Sequence, residues 1–199
     1  SSDLINMLHY CGYKWVIVGN KEKMFKGISN LSIDIKGRAS MPQRYRSDFD
    51  ANKLVITADK DKCLLIYTQS NWAVIEKKLS ELPSYNKEAR FIQRLLIGHA
   101  TESEIDTQGR FLIPIPLREY ASIKTPKKPV KRRNYNLHAS KITPPAEASE
   151  SAHPKVVLLG QGNKFELWSE TLWNRNIKRW ISEQNKNDFS NGALSELKL

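Results

Sequence analysis

The sequence predicts a mainly β fold with helices, an α+β protein assembled from two copies of one small module. Three observations predict it. One segment recurs without gaps later in the chain, short apolar runs of strand length follow each copy, and a stripe of aromatic and aliphatic residues at helical spacing follows each set of strands.

Asp34 to Arg46 aligns on Asp106 to Arg118, so that Asp34, Gly37, Arg38, Pro42 and Arg46 recur as Asp106, Gly109, Arg110, Pro114 and Arg118 at a constant offset of 72 (106 minus 34). Downstream, Leu64 to Tyr67 with Trp72 resembles Phe165 to Trp168 with Trp173, at an offset of 101 (165 minus 64). The second copy therefore carries 29 extra residues (101 minus 72) between its motif and its last strand. Residues 122–155 supply them: Pro126, Pro129, Pro144, Pro145 and Pro154 accompany a basic run of Lys124, Lys127, Lys128, Lys131, Arg132 and Arg133 with little apolar content. Such a composition buries too little surface to offset its ordering entropy and predicts a flexible insert. The organisation is then an N-terminal extension over 1–23, a first repeat over 24–83, and a second over 84–199 that contains the insert.

The elements follow in order. Leu31, Ile33 and Ile35 alternate with polar residues as a half-buried strand does, and residues 34 to 37 supply turn chemistry, with Gly37 and Gly109 free to take positive φ. Pro42 and Pro116 are placed to start short helices, where a missing N–H costs nothing. Leu54 to Thr57, Cys63 to Tyr67, Val156 to Leu159 and Phe165 to Trp168 read as strands. Trp72, Ile75, Leu79 and Leu82 fall at helical spacing, as do Trp173, Ile177, Trp180 and Ile181. Asn86 to Gly98 predicts a third helix with Ala89, Ile92, Leu95 and Leu96 on one face and Gly98 at its C-terminal end. These stripes predict core or subunit contact, not a cofactor box.

Lys and Arg number 32 against 21 Asp and Glu, a net charge of +11. That sign suits a protein that meets a polyanion, nucleic acid ahead of a membrane surface or an acidic protein, with a merely soluble basic protein as the alternative. Cys11 and Cys63 are too few for a disulfide framework and predict a reducing cytoplasm. The apolar run Trp15 to Val18 falls short of a signal peptide or a membrane span, so no membrane partner is expected.

Catalytic constellations are missing from the pattern. His9, His99, His138 and His153 have no metal-ligand spacing, and Gly160 to Gly162 is too short for a dinucleotide fingerprint. His99 near Glu102 and Glu104 is the one candidate for acid–base work, against the plainer reading of a solvated or hydrogen-bonded histidine. No enzyme, metal or cofactor is expected.

What remains is the duplicated turn on a basic chain. Arginine can bond bidentately to guanine or clamp phosphate, and a tight turn projects it beyond a sheet. The alternative is that Asp34 pairs with Arg38, and Asp106 with Arg110, to brace the turns. The aspartates and glycines are read as turn-structural, the arginines as double-stranded DNA contacts.

At these residues the chain resembles the MraZ family, within the wider AbrB and SpoVT-type group of DNA-binding barrels. The resemblance rests on Met24 to Gly27, Asp34 to Arg46, Arg90 to Ala100, Asp106 to Ala121 and Gly160 to Trp168, in that order. It implies a double-split, swapped-hairpin β-barrel built from two tandem pseudo-equivalent AbrB-like halves, in a ring-like homo-oligomer larger than a dimer. It also implies a nucleoid-associated transcriptional regulator that binds short G-rich direct repeats upstream of its own gene, in the division and cell-wall gene cluster. An antitoxin-like protein-interaction module of the same group is the other expectation. By position, DNA contact is expected from Lys26, Lys36, Arg38, Gln108 and Arg110, and turn structure from Asp34, Gly37, Asp106 and Gly109. Gln108 stands where the first turn has Lys36, so the two turns are expected to bind unequally.

Overall fold

Leu54 to Ile56 and Leu64 to Tyr67 carry apolar side chains on both faces, and a strand of that kind is stable only where both faces are covered. They form the middle of the protein. The computed structural model describes residues 24–124 and 153–184. Its strands are β1 (Phe25–Ser32), β2 (Arg38–Ser40), β3 (Lys53–Ala58), β4 (Leu64–Thr68), β5 (Thr101–Glu104), β6 (Arg110–Leu112), β7 (Lys155–Gly162) and β8 (Lys164–Ser169). The helices are α1 (Gln43–Arg46), α2 (Gln69–Ser80), α3 (Lys87–Leu96), α4 (Ile115–Tyr120) and α5 (Glu170–Gln184).

The result is a mixed α/β architecture around an antiparallel six-stranded sheet of order β1-β7-β8-β4-β3-β5, with β2 and β6 paired as a separate two-stranded ladder. Exchanging β1 with β5, β3 with β7 and β4 with β8 reverses this order and leaves it unchanged, so the sheet has pseudo-twofold symmetry. Each outer strand pairs with the hairpin of the other repeat: β1 lies on β7 and β5 on β3. Strand exchange of this kind makes each repeat's core depend on the other.

The two sheet faces have different cover. Leu54, Ile56, Leu64, Ile66, Phe165 and Leu167 face the β2/β6 ladder and bury Ile33, Met41, Phe111, Ile113 and Leu117 with them. The Phe25 and Phe165 rings stack there at 4.2 Å between centroids. Val55, Leu65, Tyr67, Val157 and Trp168 point the other way, toward α2, α3 and α5, as the period of two along each strand requires. Trp168 packs against Trp173 at 6.0 Å and Trp180 at 5.7 Å. Thr68 and Asn86 cap α2 and α3 by accepting main-chain hydrogen bonds in the first turn.

Several sequence expectations shift. Ile35 does not continue an alternating strand; β1 ends at Ser32, Ile33 is fully buried beyond it, and Ile35 is 52% exposed in the turn. Pro42 and Pro114, not Pro116, sit at the N-caps of α1 and α4, and Pro116 lies inside the first turn of α4. Gly98 does not close α3 in a left-handed conformation: Ile97 is the C-cap, and a Cβ at position 98 would strike the carbonyl oxygen of Arg94. Ile92 and Ile181 are exposed, while Asn176 is buried on α5. The extension over 1–23 and most of the 122–155 insert lie outside the described residues. At the insert's ends, Ile123 is buried, the Pro154 carbonyl accepts from the Ile33 amide at 2.9 Å, and Lys155 opens β7.

Candidate nucleic-acid interface

The two recurrent turns have the same local chemistry. In the first, Asp34 Oδ1 accepts from the amides of Lys36 and Arg38, both at 2.9 Å, and Oδ2 accepts from Arg38 Nε at 2.9 Å. In the second, Asp106 Oδ1 accepts from the amides of Gln108 at 2.9 Å and Arg110 at 2.8 Å, and Oδ2 from Arg110 Nε at 3.0 Å. An aspartate that bonds main-chain donors two and four residues on gives the backbone a local reason to turn. Gly37 and Gly109 complete the turns at φ +83° and +79°, a region that L side chains rarely adopt.

The turns lie side by side because β2 pairs with β6 in the register Arg38↔Leu112, Ala39↔Phe111 and Ser40↔Arg110. The pseudo-dyad runs through the middle pair. Arg38 Nη1 reaches Asp106 Oδ2 at 3.6 Å, and Arg110 Nη2 lies 2.9 Å from the same oxygen. Four charges thus meet on the axis, two of each sign, with all four side chains half-buried.

The carboxyls are held ionised. For Asp34, burial pushes the pKa up, but hydrogen bonds from the Arg38 amide, its guanidinium and the Lys36 amide outweigh it and leave the value below the ordinary one. For Asp106 the Arg110 amide is the largest influence, against some burial, and the net direction is again down. Both arginines are therefore oriented by a fixed anion, which aims a guanidinium at low entropic cost to an incoming partner.

Each expected residue now has a location. Lys36 and Gln108 are exposed at the turn tips, and Arg38 and Arg110 stand half-exposed beside them. Lys26 is on β1, where its carbonyl accepts from the Tyr45 hydroxyl, and no hydrogen bond or ion pair among the described residues joins it to either turn. Arg44 of α1 also lies along β1, where its Nη2 donates to Ser29 Oγ at 3.2 Å and passes Gly27. The bracing alternative holds for all four Asp and Arg side chains, and it does not remove the arginines from the surface. Sequence reasoning assigned no role to Arg46 and Arg118, although both recur at the repeat offset. The structure wraps their guanidiniums around Gly109 and Gly37.

His99 follows the plainer reading, with Nδ1 3.0 Å from the Leu95 carbonyl and its ring against Tyr120. Cys63 is buried, and burial pushes its thiol well above the usual range. Among the described residues no group of His, Cys, Asp and Glu could hold a metal ion, and no helix is long and apolar enough to cross a membrane.

The family model described as "MraZ protein, putative antitoxin-like" matches residues 24–95 and 96–130. Curated relatives named transcriptional regulator MraZ match most of the chain. That of Thioalkalivibrio sulfidiphilus is 40% identical over 88% of this chain and 100% of the relative. That of Methylococcus capsulatus is 41% identical over 80% and 88%, and that of Legionella pneumophila 40% identical over 88% and 97%.

Proposed function

Because the chain belongs to the MraZ family, we propose that it is a transcriptional regulator, not an enzyme, and that it reads double-stranded DNA with the paired turns 34–38 and 106–110. One observation carries this reading: two aspartate-braced turns stand together at a pseudo-dyad, with their arginines half-exposed and a polar residue at each tip. A basic chain with such a pair can neutralise phosphates while a guanidinium engages a base edge. Arg38 and Arg110 make the base or phosphate contacts, Lys36 and Gln108 extend them unequally, and Lys26 with Arg44 adds phosphate contact from β1 and α1.

The finer reading follows the family resemblance. The exchanged strands support a swapped-hairpin barrel of two AbrB-like halves, spanning 24–83 and 84–199. Subunits assemble into a ring larger than a dimer and engage short G-rich direct repeats upstream of the protein's own gene, in the cytoplasm at the nucleoid. The family description favours a second reading, an antitoxin-like module whose main partner is another protein. Mobility shifts with duplex from upstream of the gene test the first reading. Retarded complexes that random duplex does not compete away are expected. Equal affinity for both duplexes, or none, would sink it and favour the second.

A further inference from the structure

Gly37 and Gly109 require more than a permissive φ. A Cβ at Gly37 would fall 2.5 Å from Arg118 Cζ, 2.7 Å from Nη1 and 2.8 Å from Nη2. At Gly109 a Cβ would collide with Cζ, Nε and Nη1 of Arg46. Each turn glycine is thus covered by a guanidinium from the other repeat.

The same crossing appears in the main chain. The Ile113 amide donates to the Gly37 carbonyl at 3.0 Å, and the Ile113 carbonyl accepts from Arg118 Nε at 2.9 Å. In the mirror half the Met41 amide donates to the Gly109 carbonyl at 2.8 Å, and the Met41 carbonyl accepts from Arg46 Nε at 2.8 Å. Each circuit runs from a turn glycine into the partner repeat and returns through an arginine. The halves differ in depth. Arg118 is 5% exposed, and its Nη1 has no hydrogen-bond partner among the described residues. Arg46 is half-buried, with Nη2 3.5 Å from Ser40 Oγ.

A buried guanidinium that leaves one nitrogen unbonded adds little net stability, since desolvation opposes it. Its planar fork instead fills a slot of fixed shape, which the tetrahedral ammonium of lysine cannot do. We propose that Arg118 and Arg46 are crossed positioning residues for DNA binding: Arg118 holds the 34–38 turn, and Arg46 the 106–110 turn, in the conformation that presents Arg38 and Arg110. The proposal rests on the DNA-binding reading above. It makes each repeat's contact depend on the other repeat's helix, α4 or α1.

The test uses the full chain and the substitutions Arg118→Lys and Arg46→Lys. Amide exchange reads turn order without DNA. Arg118→Lys is expected to speed exchange at Gly37 and Arg38, whose amides bond Asp34, and to leave 106–110 as it was; Arg46→Lys does the reverse. In titrations with upstream duplex, Arg118→Lys weakens binding about tenfold, does so again in an Arg110→Ala background, and adds nothing to Arg38→Ala. Should the buried Arg118 site not tolerate lysine, the half-exposed Arg46 carries the same test through its mirror pair, non-additive with Arg110→Ala. Exchange that rises in the turn of the same repeat, or evenly through both turns and the core, would overturn the proposal. Wild-type protein without duplex affinity would instead overturn the DNA-binding reading and the role assigned within it, and the exchange data keep the two failures apart.

Discussion

Arg38 lies between two carboxylates, with Nε 2.9 Å from Asp34 of its own turn and Nη1 3.6 Å from Asp106 of the other. Arg110 touches Asp106 alone among the described ion pairs. The first arginine therefore belongs to both turns, and the second to one.

The turns differ at their tips as well, Lys36 in the first and Gln108 in the second, and that difference ranks two substitutions. Arg38→Ala removes a surface guanidinium and little core packing, so the protein should fold and lose specific duplex binding. A lost bidentate contact costs about 1–3 kcal/mol per site, multiplied through an oligomer. Arg110→Ala should weaken binding less, since its turn offers Gln108 where the first offers Lys36. Mobility shifts check both; an equal or larger loss for Arg110→Ala reverses the ranking.

The strand exchange predicts that damage at one joint unfolds both repeats. Phe165 of β8 is fully buried and stacks on Phe25 of β1 at 4.2 Å, with Phe49 and Tyr45 around them. Phe165→Ala leaves a cavity where the first repeat's outer strand meets the second repeat's hairpin, at a cost of about 3–5 kcal/mol. Urea unfolding followed by tryptophan fluorescence and by far-UV circular dichroism should shift together. Two separated transitions would mean that the repeats unfold independently.

Much of this was legible in the sequence, and the misses have physical causes. The offset of 72 located both turns, because Asp, Gly and Arg at that spacing build a turn locally. Strands β3, β4, β7 and β8 were readable because each is a short apolar run. Ile35 was misread because Leu31, Ile33 and Ile35 keep period two while the Asp34 side chain diverts the backbone after Ser32. Gly98 resembled a helix cap, yet the Arg94 carbonyl is what excludes a side chain there. The crossed arginines could not be seen from spacing, since their contacts join segments brought together only by the β2/β6 pairing.

Assembly should go beyond a dimer. Short repeated DNA sites bind weakly one at a time and reach useful affinity only through linked modules. Among the described residues Met24, Ile28, Val74, Phe91 and Ile115 are more than half exposed, apolar surface that subunit contact would cover. Light scattering at micromolar concentration should return a mass above that of a dimer. A stable monomer would contradict both the ring and the linked-site argument.

The turn aspartates predict an acid dependence with a definite sign. Asp34 and Asp106 both have folded pKa values lowered from the ordinary 3.8. A group lowered on folding contributes stability that is fully present above its unfolded pKa and disappears as pH falls through the folded value. The contribution of the two turns should therefore be constant from neutral pH down to about 4 and decline below that. Other carboxylates titrate in the same range, so the informative quantity is the difference between wild type and the Asp34→Asn, Asp106→Asn double variant. Asparagine keeps an oxygen for the turn amides but gives up the charge that Arg38 and Arg110 face, and its order no longer depends on pH. Thermal melts should show the variant less stable at pH 7, with the gap closing as pH drops from 4 toward 2. A gap that stays constant across this range would mean that the aspartates act by shape alone and that the arginines draw nothing from their charge.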